Sequence, residues 1–562
     1  MQSWLCSVSR SANRNDSGHS KKHQNIHWHS AYVPEMCLAY PVSMSLLKAG
    51  LTSPDGRLDG PMAIEQARRL ACGLRALKIG ENDRVALLMW NDTPFFTLGE
   101  ACQLVGAYLV PLNWRLASPE LRYILQDCEA KVLFGHAALL QAAGFGACEP
   151  FSVVAKEAPP FIRAAYPKYV HPEPGSWEPE WLRWEALLAA SSSRLEESPR
   201  AERGGVFYTS GTTGKPKGVV RAALPSEVWA ELHGRSIAGF GLDVTSGDRI
   251  ITVQAGPLYH SAPNAYAQLV WRGGGEVVIM PRFDAQTLLH EIARARATHL
   301  HLVPTMLKRL IDLDKSERDA VDISSLISIC HGAAPCPPEV KRSAVSWLGP
   351  VIREYYAGTE TGIVAWSTSA QWLARPGTVG RAAVGVDIRI IDSAGLELPA
   401  GIAGEVIARS ASTTSFHYHG RDEAHGIQGW EGYASLGDVG YLDSDGYLFL
   451  VDRQVDIVIS GGVNIYPAEI EAELMALPGV ADCAVFGVPD PDLGEVTHAL
   501  VETQSGLTPD QAEILRALRL RLAEYKLPRL IEFRASLPRD ENGKIPKRLL
   551  RDAYWREVGR LI

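Results

Sequence analysis

The stretch Phe207 to Gly218, FYTSGTTGKPKG, gathers hydroxyl, glycine and lysine residues at a spacing suited to holding phosphate. Small side chains let backbone N–H groups and hydroxyls approach phosphate oxygens closely, and a lysine neutralises their charge. A Walker-type loop needs GxxxxGK followed by Ser or Thr, whose hydroxyl holds magnesium. Here Gly214-Lys215 is followed by Pro216, and Thr209 stands five positions before Gly214, so a nucleotide-kinase loop is excluded. A linker is excluded by context: the strand-like run GGVFY leads straight into TSGTTG and its paired lysines. Cysteine and histidine chemistry offers no rival. The nine cysteines are scattered without a CxxC pair or zinc-type spacing, and read as buried thiols of a reducing cytosol. His19, His23, His27 and His29 sit in a polar tail and read as incidental.

The elements that must position such a loop follow from the apolar pattern. PMAIEQARRLACGLRAL places Ile64, Ala67, Leu70, Ala71 and Leu74 on one helical face, and DRVALLMW follows as a short buried strand. A helix through PFFTLGEACQLVGA, a strand YLVPL, a helix opened by Ser118 and Pro119, and a strand AKVLFG continue the alternation. Helices interleaved with apolar strands predict a parallel sheet covered on both faces. Residues 145–200, rich in Pro, Trp and Glu, read as a surface excursion. Beyond about 453, PAEIEAELMAL and ADCAVFGV carry their own apolar set, predicting a separate small domain.

A chain of 562 residues exceeds the roughly 250–300 residues that one core fills, so two or three domains are expected. No apolar run approaches the roughly 20 residues of a membrane span. A formal charge of -8 and a pI near 6.1 lack the basic footprint of a nucleic-acid binder, leaving a small-molecule substrate as the expected partner. Residues 1–43 are polar and aperiodic and are expected to be a disordered tail, with Met36 or Met44 an alternative start. Oligomeric state is not fixed by the sequence, which allows a homodimer.

YTSGTTGKPKG closely resembles the phosphate loop of the adenylate-forming, AMP-binding superfamily: acyl-CoA synthetases, adenylation domains of peptide synthetases, and luciferases. Further stretches resemble the family's other motifs, in its order. YYAGTETG (355 to 362) is similar to the adenine and magnesium segment, and YASLGDVGYLDSDGYL (433 to 448) to the ribose segment. VDRQVDIVISGGVNIYPAEIE (451 to 471) resembles the hinge and thiol-access segment, and NGKIPKRLL (542 to 550) the segment holding the catalytic lysine. The resemblance covers roughly 44–555. It implies an α/β fold with a large N-terminal domain of layered sheets and helices (44–452) and a smaller, mobile α+β C-terminal lid (457–562), hinged near 453–456.

The implied activity is that of an acid-thiol ligase of the acyl-CoA synthetase or fatty-acid-CoA ligase type, in the cytoplasm, using ATP, Mg2+ and CoA. A fatty, aromatic or steroid-type acid would be activated to an acyl-adenylate and transferred to CoA. The alternative is a standalone adenylation enzyme loading an acyl or aryl group onto a carrier protein. By resemblance Thr209, Ser210, Gly211, Thr212, Thr213, Gly214 and Lys217 would cradle the β- and γ-phosphates. Thr359 would touch the α-phosphate and Glu360 hold Mg2+. Tyr356 would stack on adenine against Gly332, Ala333 and Ala334, while Asp438 and Arg453 would take the ribose hydroxyls. Lys544 would bridge carboxylate and α-phosphate in the transition state.

His260 would line the acyl or pantetheine tunnel, and Gly461 and Gly462 would admit the thiol. Tyr259, Asn264, His301, His331, Tyr355, Ala357, Ile363 and Trp366 are the other candidates for the acyl pocket. Val455 departs from the polar residue usual at the family's hinge. Lys215, Lys547 and Arg548 read as solvated surface, and Asp443 and Asp445 as turn residues.

Overall fold

The first long helix forms where the apolar stripe runs. In Gly60–Ala76 the residues Ile64, Ala67, Leu70, Ala71 and Leu74 are all buried, and Asp59 caps the helix by accepting Met62 N–H at 2.9 Å. The next helix, Pro94–Val105, stops at Gly106, which adopts φ +76°. Ser118 is the first residue of Ser118–Asp127 rather than its cap; Glu120 closes the start by accepting the Ala117 N–H at 2.8 Å. A computed structural model describes residues 45–146, 149–173, 176–191, 202–209, 216–221, 223–242, 249–358, 361–410, 416–418, 427, 429–453, 456–460, 463–491, 493–504, 507, 510–540 and 544–557. The expected tail, 1–43, and its histidines lie outside them.

These helices flank a parallel five-stranded sheet in the order Tyr108–Pro111, Arg84–Leu88, Ala130–His136, Ser152–Lys156, Leu182–Arg183. Its last two strands come from the segment read as a surface excursion. That expectation is corrected: Trp177, Trp181 and Trp184 are buried, and indole burial brings the segment into the core.

A second sheet has thirteen strands among the described residues. One half is parallel, running through Glu276–Ile279, Ile251–Gln254, His299–Leu302, Ser328–His331 and Ile352–Gly358. The other half is antiparallel, from Ile352–Gly358 through Gly362–Thr368, Thr378–Ala382, Tyr447–Arg453 and Tyr433–Leu442 to Gly404–Arg409 and Asp387–Ile391. Some of these strands are joined by short turns. Asp443 makes one of them by accepting the N–H groups of Asp445 (2.9 Å) and Tyr447 (2.8 Å), the turn role read for it in the sequence.

The smaller C-terminal domain has its own sheet, in which Val480–Asp490 pairs with Gly494–Thr503, and Leu530–Arg534 adds in parallel. Helices Pro467–Met475 and Gln511–Arg519 cover it, burying Ile470, Leu474, Ile514 and Leu518 against Val485 and Val501. Each such aliphatic side chain contributes about 1.5–3 kcal/mol of burial. All described residues belong to one compact unit.

Candidate active site

The strands that flank the sequence-predicted phosphate loop pair with each other as a hairpin. Phe207–Thr209 pairs antiparallel with Lys217–Arg221, with Thr209 opposite Lys217 and Tyr208 opposite Gly218. The Tyr208 hydroxyl donates to Asp127 Oδ2 at 2.6 Å, tying the hairpin to helix Ser118–Asp127, and burial pushes its pKa well up. Gly218 is required by this packing, since a Cβ there would lie 2.8 Å from the Tyr208 ring. Ser210, Gly211, Thr212, Thr213, Gly214 and Lys215 lie outside the described residues, as do Thr359, Glu360, Val455, Gly461 and Gly462. For Thr209 and Arg453 the backbone alone is described.

The hairpin opens onto a cleft of about 1800 Å³. Lys217, His260, Ala333, Ala334, Tyr356, Asp438 and Lys544 all line it, so residues spread over more than 300 positions of sequence are brought together. Asp438 stands directly across the strand pair from Arg453, and the Tyr356 hydroxyl donates to Asp438 Oδ2 at 2.6 Å. Nothing in the sequence signalled that bond, because Tyr356 and Asp438 lie on different strands joined only through the sheet. Ala333 adopts φ +68°, a left-handed conformation uncommon for alanine. Gly332 packs on Tyr355, whose ring would lie 2.6 Å from an added Cβ.

Lys544 enters the cleft from the C-terminal domain, on a segment closed by two reciprocal bonds. Its N–H donates to Asp540 Oδ1 at 2.8 Å, and its carbonyl accepts the Asp540 N–H at 2.9 Å. Across the cleft, the His260 ring lies against that of Tyr259, tilted by 49° with centroids 4.4 Å apart. Burial, with the Lys544 charge adding to it, pushes the His260 pKa down to about 3. The imidazole is therefore neutral at physiological pH.

Of the acyl-pocket candidates, Tyr259, Asn264, Tyr355, Ala357 and Ile363 share the cleft wall. His301 stands behind Tyr355, its Nε2 2.8 Å from the tyrosine hydroxyl, and burial pushes its pKa down to about 4. His331 alternates to the other face of the sheet from Cys330, near the buried pair of Lys341 and Glu354. Trp366 lies under the Arg353 guanidinium, 5.5 Å from it.

One surface assignment is corrected. Lys547 is largely buried and its Nζ stands 2.8 Å from Glu471 Oε1. Glu471, Asp452 and Asp456 raise its pKa against the opposing effect of burial. A lysine read alone defaults to surface; three carboxylates from distant stretches make this one a buried partner. Arg548 is exposed, 3.8 Å from Asp552.

This architecture is matched by known proteins. The family model for AMP-binding enzymes matches residues 63–418, and that for the AMP-binding enzyme C-terminal domain matches 469–544. The chain belongs to the AMP-binding enzyme family. It is of the adenylate-forming, acyl-CoA synthetase type. This AMP-binding enzyme is 32% identical to an indoleacetate–CoA ligase of Aromatoleum aromaticum over 520 residues, 91% of this chain and 96% of the relative. It is 32% identical over 508 residues to a long-chain-fatty-acid–CoA ligase of Mycobacterium tuberculosis, 89% of this chain and 94% of the relative. Its fold is similar to that of ATP-bound MatB from Rhodopseudomonas palustris, with a TM-score of 0.74 at 27% identity over 91% of this chain and 96% of the other. Among the described residues no helix is long and apolar enough to cross a membrane, and no group of three or more His, Cys, Asp or Glu is gathered for a metal.

Proposed function

We propose that this AMP-binding enzyme is an AMP-forming acid–CoA ligase for a hydrophobic carboxylic acid, fatty, aromatic or steroid-type. A substrate carboxylate oxygen attacks the α-phosphorus of ATP; the new P–O bond forms as pyrophosphate leaves with the bridging oxygen's electrons. The CoA sulfur then attacks the acyl carbon, the C–S bond forms, AMP leaves, and the thiol proton passes to solvent. The observation that carries the reading is the convergence of Lys217, His260, Tyr356, Asp438 and Lys544 on one cleft.

In this reading Lys217 and the loop 209–214 hold the outgoing phosphates. Asp438 with Arg453 holds the ribose, in place of the Tyr356 hydroxyl that occupies the carboxylate in the structure. Tyr356, Ala333 and Ala334 form the adenine shelf, with Thr359 at the α-phosphate. Lys544 places its ammonium where negative charge grows between carboxylate and phosphate. Mg2+ arrives as part of the nucleotide substrate, since ATP phosphates supply hard oxygen ligands, with Glu360 the candidate protein ligand. Neutral His260 and apolar Tyr259 and Ile363 suit an uncharged acyl group beside the cleft wall.

The two half-reactions need different groups beside the adenylate. We place the turning point at 453–456, between 44–452 and 457–562, so that Lys544 serves the first and Gly461 and Gly462 the second. Buried free thiols at Cys102, Cys128, Cys330 and Cys483 suit a reducing cytoplasm.

The test is release of AMP from ATP, with and without CoA, across fatty, aromatic and steroidal acids. A CoA thioester formed in step with AMP is the expected result. Pyrophosphate release with no thioester would assign the chain to carrier-protein loading instead, and no acid-dependent release would reject the reading.

A further inference from the structure

The turn Gly256 to Leu258 immediately precedes Tyr259 and His260, and three side-chain carboxamides, two from its own flanks and one from a distant strand end, meet its backbone. Asn91 follows the strand Arg84–Leu88 of the five-stranded sheet. Its Nδ2 donates to Gly256 O at 3.0 Å and to Met280 O at 3.1 Å, and its Oδ1 accepts the Leu258 N–H at 2.8 Å. Gln254, at the end of its strand, donates Nε2 to Gly256 O at 2.8 Å. Asn264, in helix Ser261–Arg272, donates Nδ2 to Leu258 O at 2.8 Å.

All three are buried, with 5%, 1% and 8% exposure. A buried carboxamide is tolerated only where its polar atoms are met, and here the partner each shares is this turn. The turn is in turn coupled to the histidine: His260 N donates to Pro257 O at 3.2 Å, and Asn264 N to His260 O at 3.1 Å. Fixing residues 256–258 therefore fixes the backbone from which the His260 ring reaches the cleft, with its Nε2 buried.

We propose that Asn91 is a positioning residue for acid activation, acting through His260. Of the three carboxamides it alone joins the two sheets, touching both the turn and Met280 beyond it. Its own place is braced by the next residue, for Asp92 is held by His136 at 3.1 Å and Lys156 at 2.8 Å. Asn91 thereby transmits the rigidity of the five-stranded sheet to the wall on which the acid sits. The inference rests on the cleft being the acid-activating site proposed above.

The test uses full-length Asn91→Ala and Asn91→Ser. Acid-dependent pyrophosphate release should lose about 10- to 100-fold in kcat/KM for the acid in the alanine variant, the scale of a misplacement near 1 Å. The KM for ATP should change by less than about twofold, because the nucleotide side of the cleft is held by other elements. Hydrogen exchange should quicken in peptides covering 256–260 and stay unchanged in Arg84–Leu88.

Should the alanine variant fail to fold, Asn91→Ser, which buries no charge, carries the same test. Unchanged kcat/KM for the acid, or parallel losses for acid and ATP, would overturn the inference, as would faster exchange throughout the five-stranded sheet. If the wild-type chain releases no pyrophosphate with any acid, the parent reading fails; faster exchange confined to 256–260 would still support Asn91 as holder of the turn, and unchanged exchange would overturn that too.

Discussion

Lys341→Met should destabilise the protein strongly and in a pH-dependent way. Lys341 Nζ lies 2.5 Å from Glu354 Oε2, with side-chain exposures of 1% and 8%, so water screens neither charge. Burial raises the Glu354 pKa, and Lys341 is the group that pulls it back. Without the lysine, the folded state would hold Glu354 protonated, while the unfolded chain would ionise it near its ordinary value of about 4.3. The folded pKa is raised, so the loss grows as pH rises above the unfolded value. At up to about 1.36 kcal/mol per pH unit, the loss relative to the wild type, whose own Glu354 pKa is already raised, is greater at pH 7 than at pH 5.5. Its scale is the roughly 3–5 kcal/mol typical of breaking a buried pair. Urea unfolding followed by tryptophan fluorescence at the two pH values measures it. Lys341→Met with Glu354→Gln should recover most of the loss, because no uncompensated charge stays buried. Equal losses at both pH values, or a double variant no better than the single, would refute the reasoning.

The phosphate hairpin and the buried histidines give two more outcomes. Gly218→Ala places a methyl 2.8 Å from the Tyr208 ring and must displace it from Asp127. AMP release at varied ATP should show a kcat/KM loss of about 10-fold or more, and wild-type kinetics would contradict this packing. His136, His260, His301 and His331 all have pKa values lowered by burial. The unfolded chain takes up those protons near pH 6.5, so each histidine costs stability as pH falls below that value, by about 1.36 kcal/mol per unit. Glu354 and Glu495, with their raised pKa values, oppose this, but His233 and His498, also lowered by burial, add to it, making two carboxylates against six histidines. Thermal melts should therefore fall between pH 7 and 5.5, and a flat profile would count against the burial of these rings.

Long amphipathic helices such as Gly60–Ala76 were legible because their apolar spacing is local, and the parallel strands because each is a short apolar run. The antiparallel half of the large sheet was not, since Thr378–Ala382 pairs with Tyr447–Arg453 across some seventy residues, and no local pattern encodes that register. The same distance hid the partners of Lys547, and it hid Lys341 and Glu354, which meet only when helix Pro338–Leu348 packs on its sheet. Asn91 looks in sequence like the polar end of the strand DRVALLMW. Its three bonds, to residues about 165 to 190 positions away, appear only in the fold. The motif residues of the cleft were legible because each lies in a contiguous stretch. The bond between Tyr356 and Asp438 joins two of those stretches and was not.

The role proposed for Lys544, from the C-terminal domain, is in the step where the acid meets the α-phosphate. It is tested most directly by measuring both half-reactions of Lys544→Ala separately. Adenylate formation from acid and ATP should fall by about 10²-fold or more, as when a charge-stabilising group is removed, while thioester formation from supplied acyl-adenylate and CoA persists near the wild-type rate. Adenylate formation at the wild-type rate in that variant would contradict the account.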